Sequence, residues 1–423
     1  MRHPRITCTP LPIILCLSLV FLVYLLSSSG DGSKCGVPQG TPMGPFPCKD
    51  NDLEKSVEFR GRFVVFRNYV PAEKRFRCNE SVTLTAPGDY RFLDNILPLV
   101  ERWKGPISVA LYSPGYDFFS TLQSIAYLRN CRTPLVRQLV TFHLFFDTDH
   151  VPTQHDEPLV DIYEDTYDCS QKPPYETMQD DEMYKTRMNL TYPINVARNV
   201  AKLTAQTYLV FPSDIELYPT RNLIPDFFKF AAQRGEFFRK NSRNVFVLPV
   251  FEILAGLKIP ENKSDLKKMI DNQTAIAFHQ TVCRSCHRMP REEEWINDTN
   301  KNGLDVFTIG KRQGKQVIWE PFFIETQKEP LWDERLNWEG QGNKMCQAYY
   351  LCMLDYDFVV LDNAFLIHKP GVKKKKVQNL KHSEEQHKNN QILRDIQYQL
   401  TEIYGNNTKC KIHNVFKKLQ TPA

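Results

Sequence analysis

The chain has 423 residues, is 42% hydrophobic and 12% aromatic, and carries a formal net charge of +5. That is enough apolar material for a large core of catalytic size, which excludes a small binding module. Much of the excess charge sits in Lys373-Lys374-Lys375-Lys376, without the interleaved aromatics of a nucleic-acid surface, so no nucleic-acid partner is expected; the run reads as a solvated loop, or as a contact for an anionic glycan.

Arg2 and Arg5 precede the apolar run 11–26, and small residues from Ser27 to Ser33 come after it. A short run with basic flanks on its N-terminal side is a signal anchor or a cleaved signal peptide, and either one translocates the remainder of the chain. Bulky residues up to Leu26 favour the anchor, whereas Ser28 and Gly30 keep cleavage open. The expected layout is a cytosolic tail (1–10), a transmembrane anchor (11–26), a stem (27–56) and a luminal domain (57–423). That domain divides into 57–220, 221–372 and a C-terminal extension, 373–423. Six N-x-S/T acceptors, Asn79, Asn189, Asn262, Asn272, Asn297 and Asn406, agree with a luminal location. So do the ten cysteines beyond the apolar run, an even number that fits disulfides.

Along the luminal part, 62–69 and 81–85 read as strands, the second running into Ala86-Pro87-Gly88. Leu93, Ile96, Leu97 and Val100 give helical spacing over 90–103, and strand and helix recur at 107–112, 117–130 and 139–146. This alternation predicts an α/β fold with a parallel sheet covered by helices, whose ligands collect at the carboxyl ends of the strands. Residues 153–188 lack periodicity and read as a long excursion on the acceptor side, held by Cys169. A helix then opens at Tyr192-Pro193 and carries Arg198, a candidate for a donor diphosphate or for a local carboxylate.

The apolar run 208–212 ends on Asp214 and Glu216. In an extended segment residues i and i+2 share a face, so these carboxylates read as a clamp for one hard divalent cation, or as a pair that merely faces water. A buried strand is expected at 245–251, a cysteine-containing loop at 279–287, a strand at 316–324, a helix ending at Leu354 and a strand at 358–367. His368 leaves that last strand and could complete a manganese-like site. Cys283-Arg284-Ser285-Cys286-His287 matches a haem-attachment pattern, but a structural disulfide suits the context better; zinc on Cys283, Cys286, His279 or His287 is the alternative.

Taken in order, Ser81-Val-Thr-Leu-Thr-Ala-Pro, Tyr192-Pro-x-Asn195-x-x-Arg198-Asn199, the Asp214/Glu216 pair, Trp319-Glu320-Pro-Phe, Asp333-Glu-Arg335, Asn343-Lys344 and Asn363-Ala-Phe-x-x-His368 resemble the glucuronyltransferase domain of the LARGE-type glycosyltransferases over roughly residues 79–369. The resemblance implies a GT-A fold, a UDP-sugar donor, Mn2+ (or Mg2+) and the Golgi membrane. It implies transfer of glucuronic acid from UDP-glucuronic acid, in β-1,4 linkage, to a xylose-terminated O-mannosyl glycan of the dystroglycan type on a glycoprotein, with other glycosyltransferases as partners. Asp214, Glu216 and His368 would be the metal ligands, although the family usually has Asp where Glu216 stands. An inverting transfer needs one general base. Asp333 is the first candidate and Glu320 the second, with Asn195, Arg198, Lys344 and Lys369 as donor contacts. A different UDP-sugar, or a catalytically weak glycan-binding partner protein of the Golgi, is the alternative.

Overall fold

The computed structural model describes residues 48–51, 54–152, 167–239, 241–298, 303–369, 371–372 and 380–410. The apolar run 11–26, Cys35 and the lysine run lie outside these residues. Among the described residues no helix is long and apolar enough to cross a membrane.

Fourteen strands occur among the described residues: β1 (Ser56–Arg60), β2 (Phe63–Val70), β3 (Val82–Gly88), β4 (Ile107–Tyr112), β5 (Val140–Asp147), β6 (Leu209–Pro212), β7 (Leu217–Pro219), β8 (Asn244–Leu248), β9 (Val250–Ile253), β10 (Ala275–Ala277), β11 (Asp305–Gly310), β12 (Phe322–Thr326), β13 (Asp357–Asp362) and β14 (Leu366–His368). Ten of them form one sheet in the order β1-β2-β5-β4-β3-β6-β12-β8-β13-β11, and four form a second in the order β10-β9-β14-β7. Every residue of β3, β4 and β5 is buried, as continuous apolar runs require when helices cover both faces. The helix Ile194–Leu203 packs on β3 and β4.

The α/β reading holds, but the sheet is mixed. Parallel pairing runs through β5, β4, β3 and β6, while β1, β2, β12 and β11 run antiparallel to their neighbours. Because β6 pairs with β12, one sheet spans both halves of the domain. The strand expected over 245–251 breaks at Pro249, which has no N–H to give a ladder. The one expected over 358–367 breaks at 363–365, where Asn363 takes a left-handed φ of 60°. Both breaks transfer the chain from the large sheet to the small one, so β8 and β13 run parallel in the first and β9 and β14 run parallel in the second. This transfer carries His368 to β7, just beyond Glu216.

Disulfides join Cys48 to Cys78, Cys131 to Cys169, Cys283 to Cys286 and Cys352 to Cys410. Cys169 thus ties the excursion to the end of the helix Asp117–Cys131, and the C-x-x-C pair is a disulfide. The even count does not mean complete pairing, since Cys346 remains a buried thiol. Five of the six acceptor asparagines are exposed and Asn79 is half-buried.

Candidate functional site

The helix Ile194–Leu203 places polar side chains at positions 195, 198, 199 and 202, a helical spacing that puts all four on one stripe. The stripe is buried against the segment 325–346. Asn195 donates to the carbonyls of Asp333 (2.8 Å) and Asn343 (3.1 Å), and Asn199 to Trp332 O (2.8 Å) and the Glu334 carboxylate (2.7 Å). Lys202 meets Glu325 at 2.7 Å with both side chains sealed from solvent. These contacts fix the loop that leads to Lys344. Asn195, expected to touch the donor, is committed to that structural task.

Arg198 projects from the same stripe into the cleft. It donates to Asn343 Oδ1 (2.7 Å), to Asn195 Oδ1 (3.0 Å) and to Asp214 Oδ1 (3.2 Å). Lys344, at the start of the helix Met345–Met353, reaches the other oxygen of Asp214 at 2.9 Å, with its ammonium 3.8 Å from the centroid of the Phe322 ring. Burial lowers the Lys344 ammonium below its ordinary value; Asp214 opposes that shift and Arg198 adds to it. One carboxylate therefore sits between two cations, in a narrow cleft whose walls include Ser213, Glu320, Phe322, Trp332 and Gln347.

The expectation that Asp214 and Glu216 share one face of a strand is corrected here. β6 ends at Pro212, and the two carboxylates occupy a turn closed by the Leu217 N–H on Asp214 O (3.1 Å). The turn separates their tasks. Asp214 faces the cations, whereas Glu216 Oε1 lies 3.0 Å from His368 Nε2. Among the described residues no three His, Cys, Asp or Glu side chains gather as a metal-holding group. The Glu216–His368 pair nevertheless has the chemistry of ligands. His368 Nδ1 is 3.1 Å from the Gly371 carbonyl, which can only accept. With that nitrogen carrying the proton, Nε2 presents a lone pair to a carboxylate, and two acceptors at this distance need a shared proton or a cation. Carboxylate and imidazole are donor types that suit a manganese-like ion, so Glu216 and His368 fit the cation by donor type, whereas Asp214, the third expected ligand, is held by Arg198 and Lys344.

Glu320 and Asp333 stand differently. Glu320 lines the cleft and its Oε1 is buried without a hydrogen-bond partner. Burial raises its carboxyl above the ordinary glutamate value, against the pull of Lys344, Arg312 and Arg198. Asp333 is clasped by the Arg335 guanidinium at 2.9 and 2.7 Å, a bidentate pair that occupies both oxygens. The order of preference from the sequence therefore reverses, since a base must have a free lone pair in reach of the acceptor. Lys369 is exposed, one residue past His368. Gln347, Phe322 and the Lys202–Glu325 pair were not singled out from the sequence. The N-x-x-R-N-x-x-K spacing on an otherwise apolar helix was the available signal for the last of these.

Residues 81–405 match the family model described as a glycosyl-transferase for dystroglycan. Among individual proteins, the chain is 30% identical to beta-1,4-glucuronyltransferase 1 of Danio rerio, over 79% of this chain and 78% of that protein. It is 27% identical to the Homo sapiens protein of that name, over 80% and 86% respectively. It is also 24% identical to human xylosyl- and glucuronyltransferase LARGE1, over 74% of this chain but 34% of that longer protein.

Proposed function

The chain belongs to the family of glycosyl-transferases for dystroglycan, and from that premise we propose that it transfers glucuronic acid from UDP-glucuronic acid to a xylose-terminated acceptor glycan in β-1,4 linkage. The observation that carries this reading is the cleft at the end of β6, where Arg198, Lys344 and Asp214 form a charged cradle beside the half-buried Glu320. Two cations and an acidic turn suit an anionic nucleotide-sugar, and the mixed sheet with its site beyond a parallel strand suits a GT-A arrangement. The names of the relatives favour glucuronic acid as the sugar, and the family's description favours dystroglycan as the protein that carries the acceptor, here taken to be an O-mannosyl glycan.

Glu216 and His368, with Asp214 released from its ion pairs, would hold a Mn2+ or Mg2+ ion. When bound, such an ion offsets the charge that builds on the departing diphosphate. Arg198 and Lys344 hold anionic groups of the donor and orient its anomeric carbon. Glu320 takes the proton of the acceptor hydroxyl as that oxygen bonds to the anomeric carbon and the bond to UDP breaks on the opposite face, so an α-linked donor gives a β-linked product. Burial suits Glu320 to this task, because a carboxylate of raised basicity is a better proton acceptor. The basic N-terminal flank, the apolar run 11–26 and the exposed glycan acceptor sites support a type II membrane protein with a luminal catalytic domain, and the family resemblance adds the Golgi as its compartment.

A screen of UDP-sugars against β-xylosides and other glycosides, with manganese and the product linkage read by NMR, tests the assignment. A β-1,4-linked glucuronide on xylose is expected. Efficient transfer of another sugar would move the chain to a different donor class, and absence of UDP release with every pair would leave a glycan-binding partner.

A further inference from the structure

Four of the five tryptophans are at most 5% exposed, whereas Trp338 is 45% exposed. A single apolar side chain at a surface needs no explanation by itself. The backbone that carries this one, however, is tied on both sides. The Trp338 N–H donates to the carbonyl of Tyr192 at 3.0 Å, and its own carbonyl accepts from the Gln341 N–H at 3.1 Å. The next side chain returns the contact, since the two Glu339 oxygens accept the Tyr192 N–H at 3.2 and 3.0 Å. From the other side the helix Leu380–Tyr404 holds the same loop: Asn389 donates to the carbonyls of Asn337 (3.0 Å) and Gln341 (2.9 Å). Gly340 lies so close to that helix that a Cβ would come within 2.3 Å of the Asn389 side chain and 2.5 Å of the Glu385 carbonyl oxygen. Ordering a loop costs conformational entropy. Here the result is an indole held in place and left uncovered.

The loop leads straight to the cleft. Asn343 and Lys344 follow it, and both reach cleft groups: Asn343 Oδ1 accepts from Arg198 at 2.7 Å, and Lys344 meets Asp214 at 2.9 Å. Tyr192, where Trp338 is tied, comes two residues before the helix Ile194–Leu203, and Arg198 lies just over one turn into that helix, about 6 Å along its axis. Trp338 is absent from the cleft wall itself. It stands outside, on the segment that joins Tyr192 to Lys344. A ring in that place suits a sugar: a pyranose has a face of C–H bonds that packs on the electron-rich face of an indole, and a rim of hydroxyls that needs polar neighbours. Asn337, Glu339 and the exposed Gln341 border Trp338 along the chain, where a protein partner or a bilayer would call for a contiguous apolar patch.

We propose that Trp338 is the platform for the second sugar of the acceptor glycan, the one next to the terminal sugar that reacts in the cleft. The second sugar lays its C–H face on the indole, and the rigid loop sets the distance from that ring to Lys344 and Arg198, so the enzyme selects an acceptor of at least two sugars. The proposal deepens the reading of the chain as a transferase to a glycan and rests on it.

The test uses the full-length chain in detergent, as parent, Trp338→Ala and Trp338→Phe, with methyl β-xyloside as a one-sugar acceptor and methyl β-1,4-xylobioside as a two-sugar one. In the parent the disaccharide should have the higher kcat/KM, by about tenfold and chiefly through a lower KM. Trp338→Ala should bring that ratio near one, and Trp338→Phe, which keeps a smaller aromatic face, should retain part of it. Acrylamide quenching of tryptophan fluorescence reads the contact without turnover, because the four buried indoles are shielded from the quencher. Methyl β-1,4-xylobioside should protect the parent and leave the residual quenching of Trp338→Ala unchanged. Equal kcat/KM for the two acceptors in the parent overturns the proposal, as does a ratio that survives in Trp338→Ala. A loss shared equally by both acceptors marks a structural role and overturns it too, and so does quenching of the parent that the disaccharide does not alter. If the parent transfers glucuronic acid to neither acceptor, the transfer reading fails and quenching alone decides: protection by the disaccharide upholds the platform, and its absence overturns it.

Discussion

Asp214→Asn removes the one carboxylate between Arg198 and Lys344, at almost constant volume. The side chains of Arg198, Lys344 and Asp214 are 5%, 16% and 19% exposed, so the contacts at 3.2 and 2.9 Å are largely shielded from water. At an effective dielectric constant of about 20, one such contact at about 4 Å corresponds to roughly 4 kcal/mol, and leaving a buried charge unpaired typically costs about 3–5 kcal/mol. Because the cleft opens to solvent, we expect a net destabilisation near 3 kcal/mol, at about the lower end of that range. Over the domain 57–423, with an unfolding entropy of about 2.1 cal/mol/K per residue, that lowers Tm by roughly 4 °C at a fixed scan rate. The two cations then repel each other, and an added anion should relieve them. Inorganic pyrophosphate at about 100 times its Kd would restore roughly 2.7 kcal/mol by mass action, and the parent should gain less from it. Differential scanning fluorimetry of both proteins, with and without pyrophosphate, measures each quantity. An unchanged Tm in Asp214→Asn together with equal anion effects in both proteins would refute the cradle.

For the cation, His368→Ala should weaken manganese at least tenfold, or about 1.4 kcal/mol, in a metal titration of transfer activity; Glu216→Asp should keep or raise activity, and an unchanged titration in His368→Ala removes that residue from the site. A separate pH effect arises at Asp117, which accepts the backbone N–H groups of Tyr184 (2.9 Å) and Lys185 (3.0 Å), and whose carboxyl is raised by burial from 3.8 to about 6. Its folded-state value exceeds its unfolded one, so its contribution is fully present below about pH 4 and is lost as pH rises through about 6. The stability of Asp117→Asn relative to the parent should therefore increase from about pH 4 to about pH 7, by at most roughly 3 kcal/mol. A difference that stays flat across denaturant titrations in that range would show that Asp117 is not raised.

The central strands were legible because burial on both faces leaves an unbroken apolar run: 107–112 was read with the bounds that β4 has. The acceptor half was harder, since periodicity cannot show where a buried run changes sheets. Pro249 and the left-handed Asn363 divide two such runs, and the second division is what brings His368 beside Glu216. Over 316–324 the strand starts only at Phe322, after a short 3-10 turn and the Pro321 that cannot donate. The site was legible as residue types. Its pairing was not, because a D-x-E spacing reads the same in a strand and in the turn that sends Asp214 to two cations and Glu216 to a histidine. Asp333 illustrates the same limit: its partner Arg335 lies two residues away, yet only the fold decides that the pair closes.

The central claim, that this cleft performs an inverting sugar transfer with Glu320 as base, is tested most directly by single-turnover transfer from UDP-glucuronic acid to a β-xyloside in the parent and in Glu320→Gln, alongside UDP binding with manganese. The account predicts a β-linked glucuronide from the parent, and in the variant a rate lower by about 100-fold to 10,000-fold with UDP binding retained. Undiminished transfer by Glu320→Gln, or an α-linked product from the parent, would contradict it.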